Sequence, residues 1–256
     1  IGYGQYCPIA HALEVLGERW SLLIVRDLLT GNHRFNDIAR SEPGLSRTLL
    51  SKRLRQLEAA GIVSHVGDEY RLTDAGEDLR SIVFSLGEWG AKWAFGEPEP
   101  VELDAELLVW WMHTRIDTGL LDERRTVLQF RFSDDPRPFW MVVEHGEPSV
   151  CHTDPGFEVD VVVRSDLRSM YEVWLGRMSI RNALRTDRIE FDGPDHLTRR
   201  MADVLQLSPM ADMVASAVAS ATILGPRAPS QIGGGPDGSG PGSKAGVIRV
   251  WRVCSP

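Results

Sequence analysis

In the segment RTLLSKRLRQLEAA, Arg47, Thr48, Ser51, Lys52 and Arg55 come to one side of a helical wheel, and Leu50, Leu54 and Leu57 to the other. Guanidinium, ammonium and hydroxyl groups gathered on one face suit the major groove of a duplex. Arg and Lys meet guanine edges or phosphates, and Ser and Thr hydroxyls reach either. An ordinary amphipathic surface helix gives the same wheel, so the segment alone leaves both readings open. Its acid content is low, with only Glu58 near the end, and the surrounding elements must decide.

The other reactive side chains form no catalytic or metal-binding set. The chain lacks HExxH, GxSxG, a Walker-type phosphate loop and a dinucleotide fingerprint. The string GGGPDGSG neither follows a strand nor opens a helix, so it carries no phosphate-binding weight. The 7 histidines are scattered. Cys7, Cys151 and Cys254 lie far apart without CxxC or Cys/His ligand spacing, which argues for a reducing cytoplasm and against a disulfide scaffold or zinc site. We expect no enzyme, no cofactor and no metal.

The elements that must position the cationic face are legible on both sides of it. Ile9, Ala12, Leu13 and Leu16 repeat at helical spacing, as do Trp20, Leu23, Ile24 and Leu28, with Gly17 and Gly31 ending the two runs. Phe35 and Ile38 anchor a brief helix from Arg34 to Ala39. Pro43-Gly44 then turns the chain, and Ser46 stands where the N-cap of a helix from Arg47 to Ala60 belongs. After Gly61, Ile62-Val63 and Tyr70-Arg71-Leu72 flank a Gly67-Asp68 tip and predict a hairpin. A helix-turn-helix followed by a hairpin is a winged helix, with His65 and Arg71 offered to the DNA backbone or minor groove. Thr73 caps a helix to about Phe95 whose stripe of Leu79, Ile82, Val83, Leu86, Trp89 and Trp93 exceeds what one small core needs. Part of it is therefore expected to be a homodimer interface, which suits paired half-sites.

The strings CPIAHALEVLGERWSLLIVRDLL, HRFNDIAR, GLSRTLLSKRLRQLEAAGIV and YRLTDAGEDL resemble the HxlR family of bacterial regulators over about residues 7–95. The resemblance implies a homodimer that contacts double-stranded DNA through the Arg47–Ala60 helix and the hairpin. Arg47, Ser51, Lys52 and Arg55 are the expected base and groove contacts, with Ser46, Thr48 and His65 beside them and Arg34 and Arg71 on phosphates. Some members use a cysteine at the position matched by Cys7 to sense oxidants. Here a structural Cys7 packed at the start of the first helix stands as the alternative.

The net charge of −8 looks wrong for a DNA-binding chain until it is divided. Residues 1–96 carry 11 basic and 12 acidic groups, residues 97–224 carry 13 and 23, and the tail from 225 carries 4 and 1. The acidity belongs to the middle segment, and DNA needs only a local basic face. The prolines of GEPEP mark a boundary. Beyond it a helix from Asp104 to Thr118 precedes strand-like runs at 127–132, 139–144, 149–152 and 159–164. A helix at 165–175, an element at 180–184, a strand at 189–192, an element at 197–205 and a last helix at 209–221 follow.

This middle segment, over roughly 103–210, resembles the sterol-carrier-protein type of lipid-binding domain through the run from VLQFRFSDDPRPFW to TDRIEFDGP. The resemblance implies an apolar tunnel between sheet and helices, lined by Trp110, Phe132, Trp140, Val142, Val161, Tyr171, Trp174, Met178 and Ile180. Such a stripe is also what an ordinary core looks like. The expected fold is α+β: a winged helix-turn-helix domain at 1–96, a linker at 97–102, an α+β sterol-carrier-like domain with an antiparallel-type sheet at 103–224, and a disordered Gly/Pro/Ser-rich tail at 225–256. No run of eighteen apolar residues appears and IGYGQYCPIA is no secretory signal, so neither a membrane span nor export is expected. The expected function is a cytoplasmic operator-binding regulator with a lipid-like or other apolar effector. The alternatives are a lipid carrier or enzyme-like domain beside a vestigial DNA-binding fold, and a regulator whose second domain only mediates contacts.

Overall fold

The computed structural model describes residues 2–122 and 124–224, so the expected tail and Cys254 lie outside the described residues. Among the described residues, no helix is long and apolar enough to cross a membrane. The chain opens with helices α1 (Pro8–Leu16), α2 (Ser21–Leu29), α3 (Phe35–Ser41) and α4 (Arg47–Ala59). Strands β1 (Val63–Val66) and β2 (Glu69–Leu72) follow as an antiparallel hairpin around Gly67-Asp68. The expected helix from Thr73 is interrupted at Asp78, giving α5 (Asp74–Glu77) and α6 (Leu79–Trp93). Thr73 caps the first piece by accepting from Gly76 N at 3.3 Å.

Local chemistry sets the ends of α4. Ser46 Oγ accepts from Leu49 N at 3.3 Å, satisfying one of the free N–H groups of the first turn. Gly61 (φ +71°) closes the helix in the left-handed region, where a Cβ would cost about 1–2 kcal/mol. Leu50, Leu54 and Leu57 are buried with Ile24, Val25, Leu28 and Ile38, so the leucine stripe faces the core as its spacing required. In the turn between α3 and α4, a Cβ on Gly44 would come within 3.0 Å of the Trp20 ring, so the missing side chain lets the turn close on the indole.

Two charged groups, the buried Arg53 and the half-buried Arg26, lock these helices together. On α4, Arg53 donates to the Arg19 carbonyl (3.1 Å), to Gln56 Oε1 (2.7 Å) and to Glu18 Oε2 (2.6 Å). On α2, Arg26 donates to Asp27 (2.8 Å) and to Glu42 at the end of α3 (2.5 Å), while Asn32 bonds Ser41 at 2.8 Å. Both carboxyls are buried. Burial pushes Asp27 up to about 6 and Glu42 up to about 7, against the pull of the Arg26 charge they share.

The C-terminal part holds a second core. It contains α7 (Ala105–His113), β3 (Arg125–Phe132), β4 (Asp135–Glu144), β5 (Glu147–Cys151) and β6 (Val161–Ser165). Next come α8 (Leu167–Trp174), α9 (Ile180–Arg185), β7 (Ile189–Asp192), α10 (Asp195–Thr198), α11 (Met201–Val204) and α12 (Ala211–Leu224). The sheet order is β5-β4-β3-β6-β7. The expected antiparallel-type sheet needs one correction, because β3 and β6 pair in parallel. The chain leaves the edge strand β5 and crosses back past β4 to reach the far side of β3, a crossover that lays β6 down parallel. The first helix is also shorter than expected. It ends at His113, and Ile116 then bridges Leu205 while Asp117 N bonds the Val204 carbonyl at 2.9 Å. The expected element at 197–205 is two short helices, α10 and α11.

The two cores touch at defined places. The Arg40 guanidinium of α3 lies 4.8 Å above the Trp110 ring of α7. A Cβ on Gly87 of α6 would come within 2.7 Å of Met213 Sδ on α12, so these helices pack closely. Arg177 donates to the Gly96 carbonyl (2.5 Å), and Arg168 and Arg177 bridge to Glu97 at 3.0 and 3.1 Å.

The Arg26 cluster generates a pH prediction. A carboxyl whose pKa is raised on folding adds stability that is complete below its ordinary value and is lost as pH rises through the folded value. For Glu42 that window runs from 4.5 to about 7. Glu42→Gln, which keeps the acceptor for Arg26 without the charge, is expected to flatten the fall in Tm between roughly pH 5 and pH 8. An identical Tm profile for both proteins would show that Glu42 does not titrate there.

Candidate nucleic-acid interface

The outward face of α4 carries the expected groups. Arg47, Thr48, Lys52 and Arg55 are exposed and Ser51 is half-buried. Arg47 is oriented by α3, its Nη2 donating to Asn36 Oδ1 at 2.6 Å and its guanidinium lying 5.0 Å from the Phe35 ring centre. Arg55 folds back along the helix, Nε donating to the Ser51 carbonyl at 3.2 Å. Ser46 is exposed, but its oxygen is engaged as the N-cap, leaving the hydroxyl hydrogen free to donate.

The hairpin splits its two expected contacts. Side chains alternate across strands, and register pairs His65 with Tyr70 and Ser64 with Arg71. His65 stacks on Tyr70 at 4.2 Å, nearly parallel, on the face turned toward α3. Arg71 lies on the other face. Between hairpin and α3 runs a polar groove of about 500 Å³ lined by Arg34, Phe35, Asn36, His65, Asp68 and Tyr70. Arg34 reaches the hairpin because residues 33–34 pair with β2: Tyr70 N donates to the His33 carbonyl at 2.8 Å, and Arg34 bridges Glu69. Glu69 binds both flanking arginines, Arg71 at 2.6 Å and Arg34 at 3.9 Å.

Two residues that shape this face escaped the sequence reading. Arg53 is one, and its signal was available: it stands three after Leu50 and four before Leu57, so a charge lies inside the apolar stripe. Glu69 is the other, and nothing in a single sequence says that residue 34 would pair beside it. Cys7 is half-buried just before α1 and makes no side-chain cap.

Of the expected tunnel residues, Trp110, Phe132, Val161, Tyr171, Trp174 and Met178 share one buried cluster between sheet and helices, with Ile180 packed against it. Trp140 and Val142 are a correction. They lie on the opposite face of the sheet with Val127 and Cys151, because their neighbours Phe139, Met141 and Val143 take the helix side. One tunnel cannot be lined from both faces.

Along α6, Leu79 is buried and Val83 half-buried, whereas Ile82, Leu86, Trp89 and Trp93 are exposed. Ile9 and Leu13 of α1 and Leu23 of α2 are exposed as well.

Residues 15–97 match the family model described as HxlR-like helix-turn-helix. The uncharacterized HTH-type transcriptional regulator YvaP of Bacillus subtilis (strain 168) is 38% identical over 97 residues, covering 35% of this chain and 90% of that one. The HTH-type regulator Rv3095 of Mycobacterium tuberculosis is 43% identical over 89 residues, covering 32% of this chain and 56% of that protein. Among solved structures, quinone-bound YodB from B. subtilis is 34% identical, covering 34% of this chain and 99% of that chain with a TM-score of 0.32. The chain therefore belongs to the HxlR-like helix-turn-helix family, and its N-terminal winged helix is the DNA-binding part of a transcriptional regulator.

Proposed function

We propose that the protein binds a pseudo-palindromic operator in the cytoplasm as a homodimer, with α4 of each copy in a major groove. The observation that carries this reading is the exposed cationic and hydroxyl face of α4, held outward by three buried leucines and Arg53. Arg47, Ser51, Lys52 and Arg55 are the groove contacts, Thr48 and Ser46 flank them, and Arg34, His65 and Arg71 serve the backbone. The dimer reading is supported by the exposed Ile82, Leu86, Trp89 and Trp93, which recur along one side of α6, and by the exposed Ile9 and Leu13 of α1. In this reading the domains are residues 1–96 and 103–224.

The second domain binds an apolar effector within the cluster of Trp110, Phe132, Val161, Tyr171, Trp174, Met178 and Ile180. Flexible methionines and large aromatics suit a lining that repacks around an apolar guest. Such a guest would reach the DNA-binding part through α7 on α3 and α12 on α6, provided it favours one dimer geometry over the other.

Two measurements test these claims. Arg47→Ala and Arg55→Ala are each expected to weaken binding to a duplex from upstream of the protein's own gene and to lower the salt slope by roughly one. Unchanged affinity and slope would show that α4 is not the reading helix. Native mass spectrometry of the purified protein is expected to show a dimer carrying a co-purified apolar molecule. A monomer would refute the dimer, and an empty dimer whose Tm ignores added fatty acids would make the second domain a contact module.

A further inference from the structure

Glu69 is the only carboxylate among the described residues bridged to either of the wing's proposed phosphate contacts, Arg34 and Arg71. Backbone pairing makes the arrangement compulsory. Residues 33–34 form a short third rung on β2, with Arg34 opposite Glu69. Side chains two apart on a strand share a face, so Arg71 stands beside Glu69 as well. Glu69 Oε2 is 2.6 Å from Arg71 Nη2, and Oε1 is 3.9 Å from Arg34 Nε. Both guanidinium groups are largely open to solvent.

We propose that Glu69 is an internal competitor for DNA phosphate, holding Arg34 and Arg71 in the free protein and setting how much sequence-independent affinity the wing supplies. The inference rests on the DNA-binding reading above. A phosphodiester and a carboxylate each carry one negative charge and offer guanidinium the same acceptor geometry. A solvent-exposed ion pair is weak, so phosphate can displace it. After displacement the Glu69 carboxylate remains beside the DNA backbone, where like charge opposes binding. Two arginines next to one carboxylate therefore act on DNA as fewer than two positive charges. Because phosphates carry no sequence, the penalty falls on every duplex alike. This restrains non-specific binding, for which a genome offers a vast excess of sites.

Glu69→Gln keeps the strand, the size and one hydrogen-bond acceptor while removing the charge. Its binding, and that of the wild type, should be measured on a duplex from upstream of the protein's own gene and on a shuffled duplex, between about 50 and 200 mM salt. The variant is expected to bind both duplexes about three- to tenfold more tightly, with a salt slope steeper by about one. Arg71→Gln should cost more affinity in the Glu69→Gln background than in the wild type, because the released arginine then contributes fully. Glu69→Ala, which removes the acceptor too, should show the same gain if the charge is what matters. Wild-type affinity and slope in both variants, with DNA binding intact, would overturn the inference and leave the DNA-binding reading standing. A wild type that ignores both duplexes even at the low-salt end would overturn that reading and this inference together.

Discussion

The buried guanidinium of Arg53 is the contact on which the placement of α4 depends. It is a charge inside a leucine stripe, and a buried charge is tolerated only when its donors are satisfied. Its partners are the Arg19 carbonyl, Gln56 and the carboxylate of Glu18. Two of the three belong to the corner between α1 and α2, where Trp20 sits at φ +83°. A large side chain in the left-handed region costs about 1–3 kcal/mol and persists only where its surroundings fix it. Arg53 bonds the carbonyl immediately before that residue, and the Trp20 ring closes against Gly44 in the turn that starts α4. One side chain thus ties the middle of α4 to a strained corner that in turn sets the entry to α4. The outward groups of the helix follow, since their directions are fixed once its inner face is.

The second core is more than an appendage to this unit. It touches α3 through Trp110 under Arg40, α6 through Met213 against Gly87, and the segment between the cores through Arg168 and Arg177. In the proposed dimer α3 supports the reading helix and α6 faces the other copy. A rearrangement of the second core would therefore be felt at both places. His113, on α7 beside Trp110, is held down to about 4 by burial, with the Arg40 charge adding to the effect. It therefore stays neutral near pH 7, and no second positive charge forms next to Arg40 at this junction.

The N-terminal fold was legible because its signals are local. Gly61, Ser46 and Thr73 mark ends by backbone and cap chemistry, and the Leu50-Leu54-Leu57 stripe declares its buried face without reference to any other element. Arg53 was left out of both faces of the wheel, although its position among the leucines placed it inside the stripe. In the C-terminal part the strands were found but not their faces. Val127 and Leu128 are adjacent and both buried, on opposite sides of the sheet. With both faces covered, alternation no longer separates inside from outside. The parallel pairing of β3 and β6 and the meeting of Arg34 with Glu69 depend on partners distant in the chain, which a single sequence does not name.

The most direct test of the account is the thermal unfolding of Arg53→Ala beside the wild type. Losing charged hydrogen bonds worth about 2–3 kcal/mol should lower Tm by roughly 4–12 °C. Affinity for the upstream duplex should fall with it, since α4 loses its hold on the corner. A variant with wild-type Tm and wild-type DNA affinity would mean that Arg53 does not position α4, and would contradict the role given to it here.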